Sequence, residues 1–99
     1  MSRIAYFDCL HCQNVLAIAP VFHKIRGGGR HEALAMFAFN KEGKTERQLC
    51  RISLPGAVDS MTPARAAKRI TPTQVNAWVW WKYQDGNAVI TLDELIHRL

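Results

Sequence analysis

Two cysteines separated by two residues, Cys9 and Cys12, are the first feature of the sequence that could support chemistry. A CxxC pair on a tight turn can direct both thiolates at one tetrahedral zinc ion. The two further ligands that such a site needs would be Cys50 with His23 or His31, or the same CxxC pair of a second chain. The alternative is two reduced thiols at the end of a strand. We expect no cofactor, with zinc at Cys9 and Cys12 as the alternative.

The residues around the CxxC pair read Asp8-Cys9-Leu10-His11-Cys12-Gln13-Asn14 and look like a zinc-ribbon knuckle. The resemblance implies a small module in which the metal is structural. A redox CxxC normally opens a helix, which lowers the pKa of the thiol, and the β-rich flanks here disfavour a helix.

The basic residues are the second feature, because the chain has a formal net charge of +5 and groups its cations in two clusters. Such a surplus favours polyanionic partners such as nucleic acid. One cluster lies between Asp59 and Asp85, an interval without any acidic residue, and contains Arg65, Lys68, Arg69 and Lys82. The other surrounds Gly27-Gly28-Gly29 and contains Lys24, Arg26, Arg30 and His31.

Catalytic patterns are weak by comparison. The four histidines and eight carboxylates show no spacing that implies an acid/base pair, and the glycine triplet lacks the Gly-Lys-Ser/Thr ending of a phosphate-binding loop. We therefore expect a binding protein and not an enzyme.

Length and composition predict one globular domain over residues 1–99, because 48% of the residues are hydrophobic and 21% are charged. The longest apolar run, Val15 to Phe22, is interrupted by Pro20 and is far shorter than a membrane span. The first residues lack the basic flank, apolar stretch and cleavage site of a signal peptide. We expect a cytoplasmic protein without a membrane partner.

The first part of the domain, residues 1–55, is β-rich. An excess of Ile, Val, Tyr and Phe predicts strands over Arg3 to Phe7 and Val15 to His23. A hairpin pattern predicts two more, over Leu34 to Asn40 and Thr45 to Leu54, the second of which alternates apolar and polar residues. The last two flank Lys41-Glu42-Gly43-Lys44, which is typical of a hairpin loop.

The second part, residues 60–99, is predicted to be helical. Thr62-Pro63 and Thr71-Pro72 each place a capping hydroxyl before a proline, which predicts helices over Pro63 to Ile70 and Pro72 to Tyr83. A third helix is predicted over Leu92 to Leu99. The fold class is thus α+β: an antiparallel sheet of three or four strands, then two or three short helices.

One stretch, residues 78–91, fits two structures. Capping favours a helix up to Ala77, but the aromatic run before Asp85-Gly86 and Val89-Ile90-Thr91 also fits a β-hairpin. Both structures stay open.

The segment from Thr62 to Leu99 resembles the helix-turn-helix of phage-repressor-type regulators. The resemblance rests on Thr62, Ala67 and Ile70, then on Thr71-Pro72-Thr73-Gln74-Val75-Asn76-Ala77-Trp78. It implies a DNA-binding regulator of the kind that mobile elements carry, in which a recognition helix enters the major groove. Bases would be read by Thr73, Gln74 and Asn76, and phosphates held by Arg65, Lys68, Arg69 and Lys82.

The alternative function is protein binding, as in small phage or plasmid inhibitors and adaptors of the anti-CRISPR-like kind. Three tryptophans, Trp78, Trp80 and Trp81, are too many for one face of a single helix, so we expect an interface patch. Its partner would be a macromolecular complex that also contacts the basic glycine loop, or a second copy of the chain in a homodimer.

Overall fold

The computed structural model describes residues 3–8, 14–40 and 42–99, and these ranges contain six strands and three helices. The strands are β1 (Ala5–Asp8), β2 (Val15–Lys24), β3 (Arg30–Phe39), β4 (Thr45–Ser53), β5 (Lys82–Asp85) and β6 (Ala88–Thr91). The helices are α1 (Pro63–Ile70), α2 (Ala77–Trp80) and α3 (Leu92–Arg98).

All six strands form one antiparallel sheet in the order β4-β3-β2-β5-β6, with β1 also paired to β2. One edge of β2 pairs with β3 along almost its whole length. The other edge of β2 pairs with two shorter strands, one after the other. β1 occupies its first half, where Ala5 pairs with Ile18, and β5 joins its second half, where Phe22 pairs with Lys82.

The sheet has a covered face and an open face, as the alternation of side chains in a strand requires. The covered face carries mostly small residues, and bulky side chains from Trp81 and the helices fill the space above them. This core contains Ala17, Ala19, Val21, Ala33, Ala35, Phe37, Cys50 and Ile52 from the sheet, and Ala66, Ala67, Trp81, Leu92, Leu95 and Ile96 from the other layer.

The predicted α+β class is confirmed, and three of the four strands of the first part lie close to their predicted bounds, whereas β3 begins four residues earlier than predicted. The sheet is nevertheless larger than the three or four strands expected. β3 begins at Arg30, directly after the glycine loop, and residues 82–91 form the hairpin β5–β6. Its turn uses Gly86 at a φ of +60°, which glycine adopts without steric cost.

Two of the predicted helices are confirmed with their caps. The Thr62 hydroxyl accepts a hydrogen bond of 3.3 Å from the backbone N–H of Arg65 at the start of α1. The Thr91 hydroxyl accepts one of 3.1 Å from Glu94 at the start of α3. In both cases a threonine satisfies a backbone donor that has no partner within the helix.

The predicted helix over Pro72 to Tyr83 is wrong, because only Ala77–Trp80 is helical. The Thr71 hydroxyl accepts from the N–H of Thr73 at 3.3 Å, which forms a local turn and not a helix cap. The cap is Asn76, whose side-chain oxygen accepts from the N–H of Trp78 at 3.2 Å. The helix then ends because the Trp81 side chain enters the core and Lys82 begins a strand.

Candidate functional site

Three arginines line one broad cleft of about 800 Å³ at the β4 edge of the sheet. Arg65 and Arg69 lie one helical turn apart on α1 and therefore share a side of that helix. Arg51 reaches the cleft from β4, because the backbone N–H and C=O groups of Ile52 pair with those of Met61 just before α1 begins.

The loop over residues 56–60 also lines the cleft and orients Arg51. The Arg51 Nη2 donates to the Ser60 carbonyl oxygen at 2.7 Å, and its Nε donates to the Ser60 hydroxyl at 3.4 Å. These bonds use one edge of the guanidinium and leave further N–H donors for a ligand.

The cleft carries excess positive charge. Asp59 is the one acidic residue among its described lining residues, against three guanidinium groups. Within the described ranges, the ion pairs use Arg47 and Arg98 as their cations, so none of the three cleft arginines is neutralised by a salt bridge there. Exposed arginines that converge without carboxylate partners are suited to phosphate oxygens, which they can bind through two parallel hydrogen bonds.

The structure thus brings together two of the four predicted phosphate contacts, Arg65 and Arg69. Lys68 is exposed on α1 but is not part of the cleft lining. Lys82 lies elsewhere, where its Nζ donates to the carbonyl oxygen of Val79. Arg51 was missed by the sequence argument. The sequence signal that could have identified Arg51 is the alternation of β4, which puts Ile52 in the core and Arg51 on the other side of the sheet.

The predicted base-reading residues do not stand on the first turn of a helix. Thr73 and Gln74 are exposed in an irregular segment between α1 and α2, and the Asn76 side chain caps α2. The predicted geometry, in which a recognition helix beginning at Pro72 presents all three to the major groove, is therefore corrected. The cause is the local turn at Thr71, which prevents the chain from continuing into a helix.

A second cavity, of about 400 Å³, adjoins α2 and is lined by His23, Val75, Asn76, Val79, Trp80 and Lys82. The His23 ring stacks on the Trp80 ring with centroids 3.8 Å apart. Burial lowers the pKa of His23 below 6.5, and the nearby charges of His31 and Lys82 act in the same direction, against a hydrogen bond to the Trp80 backbone. The neutral imidazole is thereby favoured at this position.

Of the three tryptophans predicted to form an interface patch, Trp81 packs inward, whereas Trp78 and Trp80 are partly exposed. Trp81 is fully buried, and its Nε1 donates to the Pro63 carbonyl oxygen at 3.2 Å. Trp80 is half-buried between His23 and Trp81, and half-buried Trp78 lies under the Arg47 guanidinium at 5.2 Å. Trp81 is therefore unavailable to a partner.

The glycine loop forms the exposed tip of the β2–β3 hairpin. Gly27, Gly28 and Gly29 all have positive φ, and Ile25 closes the loop through backbone bonds of 3.1 Å to Gly28 and Gly29. Arg30 lies over the Phe22 ring at 4.1 Å from its centroid. This loop retains the exposure that the protein-binding alternative requires.

Among the described residues, Cys50 lies far from the two histidines of the zinc hypothesis, His23 and His31. Cys9 and Cys12 lie outside the described residues, and burial raises the pKa of the Cys50 thiol to about 12. Cys50 pairs with Phe37, six residues along β3 from His31, a span of roughly 20 Å at ~3.3 Å per residue. A site combining Cys50 with His23 or His31 is therefore excluded. Over residues 3–8, 14–40 and 42–99, no three or more His, Cys, Asp or Glu side chains are grouped as metal ligands.

In the described part of the chain, no helix is long and apolar enough to cross a membrane. The chain matches no protein-family model, no curated protein and no solved structure.

Proposed function

We propose that the protein binds nucleic acid and that the cleft lined by Arg51, Arg65 and Arg69 holds the phosphate backbone. The observation that carries this proposal is the convergence of three exposed guanidinium groups on one concave surface with a single carboxylate. An arginine pair four residues apart on a helix can contact successive phosphates, and a third arginine from the sheet widens the contact.

The charge of the chain supports the same ligand. The net charge is +5, and the 25 residues between Asp59 and Asp85 contain four basic residues and no acidic one. This interval includes α1 and the exposed residues Thr73 and Gln74, which follow it. A polyanion that enters the cleft therefore meets three arginines and one carboxylate, Asp59, and the interval from Ser60 to Gln84 adds no further negative charge.

The proposal places affinity in phosphate contacts and not in base readout. A segment that presents Thr73 and Gln74 from an irregular backbone lacks the rigid helix that direct reading of the major groove normally uses. We therefore expect binding with weak sequence preference and strong salt dependence. A regulatory role would then come from covering DNA without sequence preference, and not from binding one defined operator sequence.

The test is fluorescence anisotropy with a labelled random-sequence duplex and the corresponding single strand at about 50 mM salt. Arg65→Ala/Arg69→Ala should weaken binding by roughly tenfold or more, because each lost charged contact contributes about 1 kcal/mol. Arg98→Ala is the matched control for one lost charge, since Arg98 is ion-paired with Asp85 and Glu94 outside the cleft. If Arg65→Ala and Arg98→Ala weakened binding to the oligonucleotides equally, the loss of affinity would reflect the lower net charge and not the cleft.

The protein-binding alternative predicts a different result. An inhibitor or adaptor would show no binding to either oligonucleotide above background at physiological salt. Its activity would depend on the exposed loop from Gly27 to Arg30 and not on the cleft.

A further inference from the structure

The open face of the sheet, on the side opposite the helices, carries a continuous apolar surface. The strand register places these side chains beside one another: Ala5 and Phe7 on β1, Leu16, Ile18 and Pro20 on β2, and Leu34, Met36 and Ala38 on β3. On the edge strand β4, Ser53 lies opposite Leu34 and Arg51 opposite Met36. Each alternates with a residue of the covered face, as Ile18 does with Ala17 and Ala19. The helices pack against the other side.

This composition is unusual for an open sheet face, which normally carries polar residues. Phe7 is 53% exposed and Leu34 is 47% exposed. Charged side chains on this part of the face lie at its rim, where Glu32 follows the glycine loop and Arg51 turns toward Ser60. A contiguous apolar patch with a polar rim is typical of a protein interface.

We propose that a second copy of this chain covers the open face, sheet against sheet, in a two-fold symmetric dimer. The whole face spans four strand widths of ~4.8 Å and about ten residues of ~3.3 Å, on the order of 600 Å², and its apolar part spans about five residues of that length, on the order of 300 Å². The area of the whole face, with the apolar part at its centre, approaches the roughly 800 Å² per partner of a standard stable interface. Arg51 lies next to Met36 in the register, but its guanidinium bonds Ser60 at the sheet edge. The side chains of β1, β2 and β3 at the centre of the face are uncharged, so an identical face can meet them without burying an unpaired ion.

The face carries both a projecting side chain and a shallow cavity, and their positions are compatible with a two-fold axis. Phe7 projects beside Leu16 on one side of Ile18. On the other side of Ile18, next to Pro20 and Leu34, lies a shallow cavity of about 270 Å³. In a symmetric interface each copy supplies the same projection and the same recess. An axis near Ile18 and Met36 seats Phe7 of each copy against the cavity of its partner.

Of the cleft arginines, Arg65 and Arg69 lie on α1 and only Arg51 borders this face, at the edge strand β4. Because the variants that test the cleft and those that test the dimer change different residues, the proposed function and the dimer can fail separately. Oligomeric state is therefore measured on protein freed of nucleic acid at high salt, where bridging by a polyanion is removed.

Light scattering at about 50 μM is expected to give a mass near twice 11.2 kDa. Leu34→Glu should raise the dimer dissociation constant ~100-fold or more, because it buries an unpaired charge. Val79→Glu is the matched control: Val79 is 48% exposed, like Leu34 at 47%, but lies on α2. It should remain dimeric. Phe7→Ala, which adds no charge, should also weaken the dimer while circular dichroism stays unchanged.

Two variants of opposite charge at Met36 test whether this residue lies near the two-fold axis of the dimer. Met36→Lys and Met36→Glu should each be monomeric alone, and an equimolar mixture should recover the mass of a dimer, because Met36 lies close to its own copy. A wild-type monomer up to about 100 μM would overturn the proposal. A dimer that persists in Leu34→Glu as fully as in Val79→Glu would overturn it too, as would a mixture of the Met36 variants that stays monomeric.

Discussion

The Trp81 indole donates a hydrogen bond of 3.2 Å to the Pro63 carbonyl oxygen, which links the start of β5 to the first turn of α1. Both residues are buried. The contact explains why α2 is so short: continuing the helix past Trp80 would withdraw this side chain from the core. It also holds α1, which carries two of the cleft arginines, against the rest of the domain.

Trp81→Phe should therefore destabilise the fold by about 2–3 kcal/mol, through the volume lost from a filled core and the missing hydrogen bond. Urea unfolding followed by circular dichroism measures the change. Trp78→Phe is the control, since Trp78 is half-buried, and it should cost less than half as much. Similar costs for the two variants would show that Trp81 has no special role.

Asn76→Ala should lower the free energy of unfolding by about 1 kcal/mol, because the side chain caps α2. Gln74→Ala should change it by less than about 0.5 kcal/mol, since Gln74 is exposed outside any helix. If Asn76 instead lay inside a helix that began at Pro72, Asn76→Ala would not lower the stability, because alanine has the higher helix propensity.

His23 should make the stability of the protein depend on pH below neutrality. Its pKa is lowered in the folded state, so the unfolded chain binds more protons as the pH falls below 6.5. The stability contributed by the neutral ring is thus complete above pH 6.5 and is lost as the pH falls toward the folded-state pKa.

The measurement compares urea midpoints at pH 7.5 and pH 5.5 for the wild type, His23→Phe and the control His97→Phe. His23→Phe keeps an aromatic ring against Trp80 but cannot titrate, so it should lose less stability on acidification than the wild type. His97 is exposed on α3, and its variant should behave like the wild type. An unchanged acid response in His23→Phe would contradict the assignment.

Cys50 should be chemically silent in the folded protein, because burial raises its pKa to about 12 and leaves almost no thiolate near neutrality. In a Cys9→Ser/Cys12→Ser background, a disulfide reagent at pH 8 should modify Cys50 only after urea is added. Rapid modification of the native protein would mean that β4 is open to solvent at this position.

The parts of the fold that could be predicted are those set by local chemistry. Thr62 and Thr91 cap their helices through neighbours three residues away, and the strands of the first part follow their own alternation. The segment after Thr71 could not be decided locally, because its capping signal competes with the burial of Trp81 against Pro63, 18 residues away. The cleft depended on the pairing of Ile52 with Met61, a contact that no local pattern predicts.

The dependence of nucleic-acid affinity on salt tests the central claim most directly. For the wild type, the logarithm of the association constant for a labelled duplex should fall linearly with the logarithm of salt concentration, with a slope of about −0.9 for each phosphate neutralised. Arg65→Ala/Arg69→Ala should flatten that slope by about two, and Arg98→Ala should leave it unchanged. A wild-type slope near zero, or a slope that the double variant does not alter, would contradict the assignment of the cleft to phosphate binding.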